Sequence, residues 1–114
     1  VNTHGTSTLL NDKTETLAYK KAFGDDAYRL HISSTKSMTG HMLGATGAAE
    51  VLACMLALHG SFVPPTINYL EKDEECDLDY TPGRAALMPL DYAISSSLGF
   101  GGHNAVIALK KYEE

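Results

Sequence analysis

The first apolar and polar pattern in the chain predicts a helix followed by a strand. Residues 12–23 begin with acidic residues and end with lysines, an order that complements the dipole of a helix. Asn11 or Asp12 can cap this helix, and Gly24 follows as a stop signal. Residues 28–34, YRLHISS, have the length and alternation of a strand.

The middle of the chain predicts a loop over residues 35–42 and a second helix over residues 43–58 that terminates at Gly60. The first half of that helix is rich in glycine and alanine, and its second half carries large apolar side chains. Small side chains allow close approach of neighbouring backbones, so we expect this helix to be buried on most sides.

The remaining segments predict three strands and a long loop. Residues 1–4 are expected to form a short strand, and the acidic stretch 71–91 to be mostly loop. Two alternating runs, 91–97 and 104–111, flank the glycine-rich LGFGGH and predict an antiparallel hairpin. The order β-α-β-α-β-β indicates an α/β fold with a mixed sheet.

Length and composition restrict the possible classes of protein. With 114 residues, the chain has room for one domain, and its opening VNTHGTSTLL resembles the interior of a longer protein. No apolar run reaches the roughly 20 residues of a membrane span. The net charge of −5, without a basic cluster, argues against nucleic acid or an anionic membrane as a partner. Two cysteines without paired spacing favour a reducing cytoplasm.

His4 is the first candidate for chemistry. It ends the first predicted strand, stands next to Gly5 and is followed by the hydroxyls of Thr6, Ser7 and Thr8. A histidine in this position can present a ring nitrogen to a cleft, and the hydroxyls can bind a polar ligand. The alternative is an ordinary turn histidine.

Lys36 and His41 lie five residues apart in the loop that leads into the second helix. Free backbone amides at a helix N-terminus favour negative charge, and therefore favour the neutral form of His41. A neutral imidazole can donate a hydrogen bond to a developing oxyanion, and Lys36 would add positive charge. Glu50, within the helix, would need a partner if buried, and Lys36 is the nearest candidate. The alternative is a solvated lysine, a capping histidine and an exposed glutamate.

The hairpin connection GFGG places Gly99, Gly101 and Gly102 around Phe100. It lacks the lysine of a phosphate-binding loop, so a flexible aromatic flap over a pocket is the better interpretation. An ordinary hairpin turn is the alternative. The five histidines show no zinc-protease spacing, and no metal site is expected.

Four motifs together give the chain a family resemblance: VNTHGTST, SSTKSMTGHMLGATGAAE, VPPTIN and LGFGGHNA. The sequence resembles the C-terminal part of the beta-ketoacyl-acyl carrier protein synthases II. These are the elongating condensing enzymes of type II fatty-acid synthesis. That family has a thiolase-like fold built from two related halves, and its members are homodimers. The resemblance implies that residues 1–114 are a C-terminal beta-ketoacyl synthase domain without the N-terminal half.

The resemblance implies a decarboxylative Claisen condensation in fatty-acid elongation. In that reaction a cysteine accepts an acyl chain from acyl carrier protein, and malonyl-acyl carrier protein then loses carbon dioxide and attacks the thioester. His4 and His41 match the two active-site histidines of the family. Lys36 matches the family lysine, expected to hold His41 and Glu50 in place.

Further positions match the family's substrate contacts. Thr6 and Thr8 match residues that hydrogen-bond the phosphopantetheine arm, which arrives on the acyl carrier protein, and no other cofactor is implied. Phe100 matches the phenylalanine that gates the acyl pocket, with Gly99 and Gly101 supporting it.

The sequence also departs from the family pattern. Where the family has a run close to N-S-F-G-F-G-G-T-N, this chain has Ser96, Leu98 and His103 in place of asparagine, phenylalanine and threonine. The family's nucleophile is a cysteine in a D-T-A-C-like elbow of the first half, and neither Cys54 nor Cys76 has that setting. The isolated chain is therefore expected to be inactive.

The resemblance also implies the partners. They are acyl carrier protein with its acyl and malonyl groups, the N-terminal half of the same synthase and a second copy in a homodimer. A ketosynthase domain of a polyketide synthase and a non-catalytic, chain-length-factor-like subunit are the alternative functions.

Overall fold

The computed structural model describes residues 1–112. Its helices are α1 (Asn11–Phe23), α2 (Lys36–Thr39) and α3 (Thr46–Gly60). Its strands are β1 (Phe62–Val63), β2 (Ala86–Leu87), β3 (Tyr92–Gly99) and β4 (His103–Lys110). Short 3₁₀ helices cover Gly24–Arg29, Leu43–Ala45 and Phe100–Gly102.

The sheet that contains β3 and β4 has mixed pairing, as the sequence predicts, and β1 pairs with β2 in a separate antiparallel sheet. Strands β3 and β4 form the expected antiparallel hairpin. Asn2 pairs in parallel with Ser95 of β3 on one side and with Ser33 on the other. Beyond Ser33, His31 pairs in parallel with Asp79. These pairings place the N-terminal segment between β3 and residues 31–33. The turn that follows Asn2 therefore leaves the sheet between these two neighbours.

The first helix agrees with its prediction within one residue. It ends at Phe23 and is followed by Gly24, whose φ of 57° lies in the left-handed region that favours glycine. The prediction that Asn11 or Asp12 caps this helix is wrong. Leu10 occupies the N-cap position, without a side-chain cap. Asp12 instead accepts a hydrogen bond from the backbone N–H of Ser7 at 3.2 Å, which ties the start of α1 to the preceding turn.

The predicted strand at residues 28–34 is much shorter in the structure. Tyr28 and Arg29 belong to a 3₁₀ helix, because burial of Ala27 and the bond from Leu30 N–H to its carbonyl at 3.2 Å fold this segment into a turn. Its strand-like pairing consists of the isolated bridges described above. The loop predicted over residues 35–42 contains the short helix α2.

The principal core cluster joins α1 to the strand-like segments. Its buried members are Tyr19, Ala27, Ile32 and Leu78. Val1, Leu30 and Tyr80 pack against it while partly exposed. This cluster fixes the orientation of α1 beneath the turn that follows the first segment.

The third helix is only half covered, which corrects the expectation that it is buried on most sides. It begins three residues later than predicted, after the 3₁₀ helix Leu43–Ala45. Its buried side includes Glu50, Cys54 and Leu58, whereas Leu52, Met55 and Leu56 are each 54% exposed. Within residues 1–112, β3 and β4 pack on one side of α3 and leave the other side open.

The stretch Leu43–Gly60 has 18 residues and a mean hydropathy of 1.3, so it is long and apolar enough to cross a membrane by length and composition alone. The core helix of a globular protein meets the same criterion. Here the helix carries the buried Glu50, and the sulfur of Cys54 lies 3.9 Å from the carbonyl oxygen of Ile94 in β3. These contacts favour the core-helix interpretation.

Candidate active site

The turn at His4 is held by a carboxylate from α1. The backbone N–H of His4 donates to Oε1 of Glu15 at 2.9 Å, and that of Gly5 donates to Oε2 at 2.7 Å. Gly5 has a φ of 42°, and a Cβ there would lie 2.6 Å from the Cβ of Ser34. The hydroxyl of Ser34 in turn donates to the Gly5 carbonyl at 2.6 Å. Glycine is therefore required where the two segments meet.

Glu15 is the site residue that the sequence did not reveal, since it resembled an ordinary acid of a first helical turn. It is buried, and it also accepts hydrogen bonds from Asn11, Tyr19 and Ser96. Burial opposes ionisation, but hydrogen bonds to the carboxylate, the backbone N–H of Gly5 first among them, outweigh it and lower the pKa of Glu15. The spacing of Glu15 and Tyr19, four residues apart, was the available signal that they share one helix face.

Replacement of Glu15 by glutamine tests this anchor. Because the folded-state pKa of Glu15 lies below its ordinary value of 4.5, the carboxylate stabilises the fold above that pH, and its contribution is lost as the pH falls through the folded pKa. We expect Glu15→Gln to lower the free energy of unfolding by about 2 kcal/mol at neutral pH, because an amide N–H₂ then faces backbone N–H donors.

The measurement is chemical denaturation at several pH values of the protein that carries this chain. The deficit of Glu15→Gln should shrink as the pH falls below 4.5 and through the lowered pKa of Glu15, because the wild-type carboxylate then becomes protonated. Glu74→Gln, at an exposed carboxylate, is the matched control. A deficit that did not change with pH would contradict the role of the ionised carboxylate.

The rings of His4 and His41 meet edge to face, with centroids 5.4 Å apart and planes at 86°. Nδ1 of His41 accepts a hydrogen bond from the backbone N–H of Leu43 at 3.0 Å and lies 3.1 Å from the hydroxyl oxygen of Thr46. Because a backbone N–H can only donate, the uncharged ring of His41 carries its proton on Nε2. That nitrogen is then a donor available to a ligand.

His4 is buried, and its Nδ1 has no partner within the described part of the chain. Burial lowers the pKa of His4, and the positive charge of Lys36 lowers it further, against an opposing effect of Glu15. The imidazole is therefore uncharged at neutral pH. Two imidazoles that face one another in this way can each donate one hydrogen bond to an anion between them.

Lys36 and Glu50 form the buried ion pair that the sequence left open. Their side chains are 5% and 2% exposed, and the ammonium Nζ donates to Oε1 of Glu50. Burial raises the pKa of Glu50, an effect that the Lys36 ammonium opposes and the Glu15 carboxylate reinforces. The pair links α2 to α3 beneath the histidines.

The proposed substrate contacts lie along the same open cleft as the two histidines. The hydroxyl oxygens of Thr6 and Thr8 are 3.0 Å apart, and Thr8 is exposed. They form a polar edge beside His4. This arrangement can hydrogen-bond an amide or hydroxyl of an elongated ligand.

Phe100 lies at the tip of the hairpin and lines the same cleft, with its side chain fully exposed. Gly101 follows with a φ of 78°, and a Cβ at Gly99 would lie 3.1 Å from the carbonyl oxygen of His103. Small residues thus permit the tight connection that displays the aromatic ring.

The departures from the family pattern fall near the site. Ser96, on β3, contacts the hydroxyl of Tyr19 at 2.7 Å and donates to Glu15 at 3.1 Å. Leu98 and His103 line the cleft near Phe100. The structure brings no group of three potential metal ligands together within residues 1–112.

Neither cysteine resembles a nucleophile in its surroundings. Cys54 and Cys76 are both buried and unpaired, and burial raises the pKa of each thiol. The remaining histidines differ from His4 and His41. Nδ1 of His31 lies 2.8 Å from Asp79, and His59 is exposed at the end of α3. The structure therefore brings His4, His41, Lys36 and Glu50 together, without a reactive thiol from this chain.

Comparison with known proteins identifies the class to which this fold and site belong. The family model described as "Beta-ketoacyl synthase, C-terminal domain" matches residues 1–70. Because the match covers more than half of the chain, the chain belongs to the beta-ketoacyl synthase family.

Its relatives specify the branch of the family. The chain is 54% identical over 113 residues to 3-oxoacyl-[acyl-carrier-protein] synthase 2 of Synechocystis sp. and 52% identical over 113 residues to that of Staphylococcus aureus strain COL. Each alignment covers 99% of this chain and 27% of the relative. The chain thus spans about a quarter of the length of the curated relatives it matches, and it corresponds to their C-terminal part.

Solved structures support the fold. A ketosynthase bound to the hexaketide, in complex with its type II polyketide synthase acyl-carrier protein, matches with a TM-score of 0.96 and 41% identity over 98% of this chain and 28% of that one. A beta-ketoacyl synthase from Burkholderia phymatum matches with a TM-score of 0.89 and 35% identity, covering 99% and 28%. The predicted α/β, thiolase-like fold is confirmed.

Proposed function

We propose that this chain is the C-terminal part of a 3-oxoacyl-acyl carrier protein synthase that performs the decarboxylative Claisen condensation of fatty-acid elongation. The pairing of His4 with His41 across one cleft, with centroids 5.4 Å apart, carries the proposal. The 52–54% identity to 3-oxoacyl-acyl carrier protein synthases supports it.

The two histidines act on the malonyl group. When the bond to the carboxylate breaks, its electron pair moves into the thioester and forms an enolate, and carbon dioxide leaves. His4 and the Nε2–H of His41 donate hydrogen bonds to the enolate oxygen, which stabilises the charge as it develops. The enolate carbon then attacks the acyl thioester on the cysteine, a carbon–carbon bond forms and the thiolate leaves.

Lys36 supports this chemistry electrostatically. Its ammonium is fixed by Glu50, so it does not serve as the base. Burial is the main cause of the lowered pKa of His4, and the positive charge of Lys36 lowers that pKa further and favours an anion in the cleft. Lys36 therefore contributes to the stabilisation of negative charge, and Glu50 determines its position.

The rest of the cleft receives the carrier-bound substrate. We assign Thr6 and Thr8 to the phosphopantetheine arm, which arrives on acyl carrier protein, and Phe100 to control of access to the acyl pocket, with Gly99 and Gly101 permitting its loop. No further cofactor and no metal are part of the proposal.

The nucleophile comes from outside residues 1–114, in an N-terminal half of the same synthase. The protonated, buried state of Cys54 and Cys76 supports this, since the thiolate is the reactive form. The open apolar side of α3, with Leu52, Met55 and Leu56, offers a surface for that half to cover. Residues 1–114 alone would be inactive.

The complete enzyme would act as a cytoplasmic homodimer that receives acyl and malonyl groups from acyl carrier protein. The solved complex of a ketosynthase with its acyl-carrier protein, at 41% identity, supports that partner. The net charge of −5 supports neither nucleic acid nor an anionic membrane as a partner. Because like charges slow the encounter with an acidic carrier, the docking surface would be local and basic.

Polyketide extension is the second candidate, since a polyketide ketosynthase structure matches at 41% identity. The higher identity, 54%, to a 3-oxoacyl-[acyl-carrier-protein] synthase 2 favours fatty-acid elongation. A chain-length-factor-like subunit is disfavoured because His4, Lys36 and His41 occur together in one site.

The test uses the full-length protein that carries this chain, purified from its source and given acyl- and malonyl-acyl carrier protein. We expect a 3-oxoacyl product two carbons longer, detected by mass spectrometry. After incubation with acyl-acyl carrier protein alone, peptide mapping should find the acyl group outside residues 1–114.

Each outcome distinguishes the candidates. Acylation of Cys54 or Cys76 would contradict the assignment of the nucleophile to another segment. Turnover of a polyketide intermediate, with none of the saturated acyl chain, would favour polyketide extension. Absence of turnover with either substrate would favour the non-catalytic subunit.

A further inference from the structure

A buried cluster of hydroxyls surrounds Glu15 beneath the His4 turn. The phenol oxygen of Tyr19 lies 2.9 Å from Oγ1 of Thr3, 3.2 Å from Oε1 of Glu15 and 2.7 Å from Oγ of Ser96. All four side chains are buried. The Tyr19 hydroxyl contacts each of the other three, so it lies at the centre of the cluster.

The cluster has a definite direction of hydrogen bonding. The ionised Glu15 can only accept, and its Oε1 already receives the backbone N–H of His4 and the hydroxyl of Ser96. Because the single proton of Ser96 goes to Glu15, the Ser96 oxygen is an acceptor toward Tyr19, whose own proton is directed to Ser96, Thr3 or Glu15. Little water reaches these buried groups, so the loss of one hydroxyl would leave a neighbouring oxygen without one of its hydrogen-bond partners.

The same hydroxyl joins three parts of the fold. Tyr19 and Glu15 lie one turn apart on α1, Thr3 directly precedes His4, and Ser96 belongs to β3. Strand β3 continues to Gly99, next to Phe100. A shift of the phenol would therefore change the position of the His4 turn relative to the strand that leads to the aromatic loop.

The ring and the hydroxyl of Tyr19 have separable roles. The ring packs in the core cluster with Ala27, Ile32 and Leu78. Phenylalanine would keep that packing and remove only the oxygen. A change of Tyr19 to phenylalanine therefore isolates the contribution of the hydrogen bonds.

We propose that Tyr19 is a positioning residue for His4, which acts through Glu15, Thr3 and Ser96 to hold the histidine where it can stabilise the enolate. This inference rests on the proposed condensing function. Tyr19 does not contact the reacting atoms, so its effect is on the placement of the hydrogen-bond donor.

The test compares two half-reactions of the full-length synthase, carbon dioxide release from malonyl-acyl carrier protein and acylation of the nucleophilic cysteine. We expect Tyr19→Phe to lower kcat for decarboxylation about tenfold, because a displaced donor loses much of its effect. At saturating acyl carrier protein, the rate of cysteine acylation should stay within about twofold of wild type, since the thiol lies outside the His4 turn.

Tyr28→Phe is the matched control, because Tyr28 is exposed and its hydroxyl makes one hydrogen bond, to Asp77 at 3.2 Å. It should leave both half-reactions unchanged. Ser96→Ala gives a second measurement, and its combination with Tyr19→Phe should cost less than the product of the single effects if the cluster acts as a unit.

The outcomes separate this inference from the proposed function. A wild-type protein that releases no carbon dioxide would overturn the proposed function itself. An active wild type whose Tyr19→Phe variant keeps its decarboxylation rate would overturn only the role of Tyr19. Equal losses in both half-reactions would show that Tyr19 supports the fold in general, and would also overturn that role.

Discussion

Replacement of His4 by alanine should lower the rate of malonyl decarboxylation by about 10²- to 10³-fold, the usual cost of removing one donor to a developing oxyanion. His4 is uncharged because of burial and the nearby Lys36, so it contributes a hydrogen bond without a change of protonation state. Its neighbour His41 keeps a separate anchor through the backbone of Leu43. The residual rate of the variant then reports what His41 supplies alone.

The measurement is carbon dioxide release from malonyl-acyl carrier protein by the full-length protein. His59→Ala is the control, since His59 is exposed at the far end of α3, and it should retain full activity. The thermal midpoint of both variants establishes that they fold. A folded His4→Ala protein that decarboxylates at the wild-type rate would contradict the catalytic role of His4.

Replacement of Lys36 by methionine should cause the largest loss of stability, about 3 kcal/mol or more, because it leaves the buried Glu50 carboxylate without its cation. Burial already raises the pKa of Glu50, and loss of the ammonium would raise it further. Protonation removes the buried charge, so the deficit should become smaller as the pH falls.

Urea denaturation of the full-length protein at several pH values checks this expectation. The double variant Lys36→Met/Glu50→Leu should recover most of the loss, since it removes both buried charges. Lys20→Met breaks the more exposed pair with Asp77 and should cost much less stability than Lys36→Met, because solvent screens an exposed pair. A similar cost for Lys20→Met and Lys36→Met would mean that the buried pair has no special importance for stability.

Local sequence patterns predicted those elements that depend on their own residues. Helix α1 has its acidic start and its glycine stop, and the β3–β4 hairpin has two alternating runs around a glycine connection. The prediction failed where structure depends on distant partners. Residues 28–34 alternate like a strand, yet their bridges depend on Asn2 and Asp79, and Ala27 draws the first part into a turn.

The same distinction applies to the candidate site. The motifs indicated His4, Lys36, His41 and Glu50, and the structure places them together. Glu15 could not be assigned from local pattern, because an acid in a first turn is usually solvated and its donors lie up to 81 residues away. The exposure of one side of α3 likewise depends on what covers it, which the helix's own residues do not determine.

The contact between Gly5 and Ser34 restricts how this site can evolve. A side chain at Gly5 would collide with Ser34, which lies two residues before Lys36, so a mutation in one segment alters the other. Replacement of Gly5 by any other amino acid therefore disturbs two segments at once, the one that carries His4 and the one that carries Lys36. The segments around His4 and Lys36 are expected to diverge together between lineages. New substrate preferences are expected to arise instead from the loop at Phe100, whose close contact joins Gly99 to His103 within one hairpin.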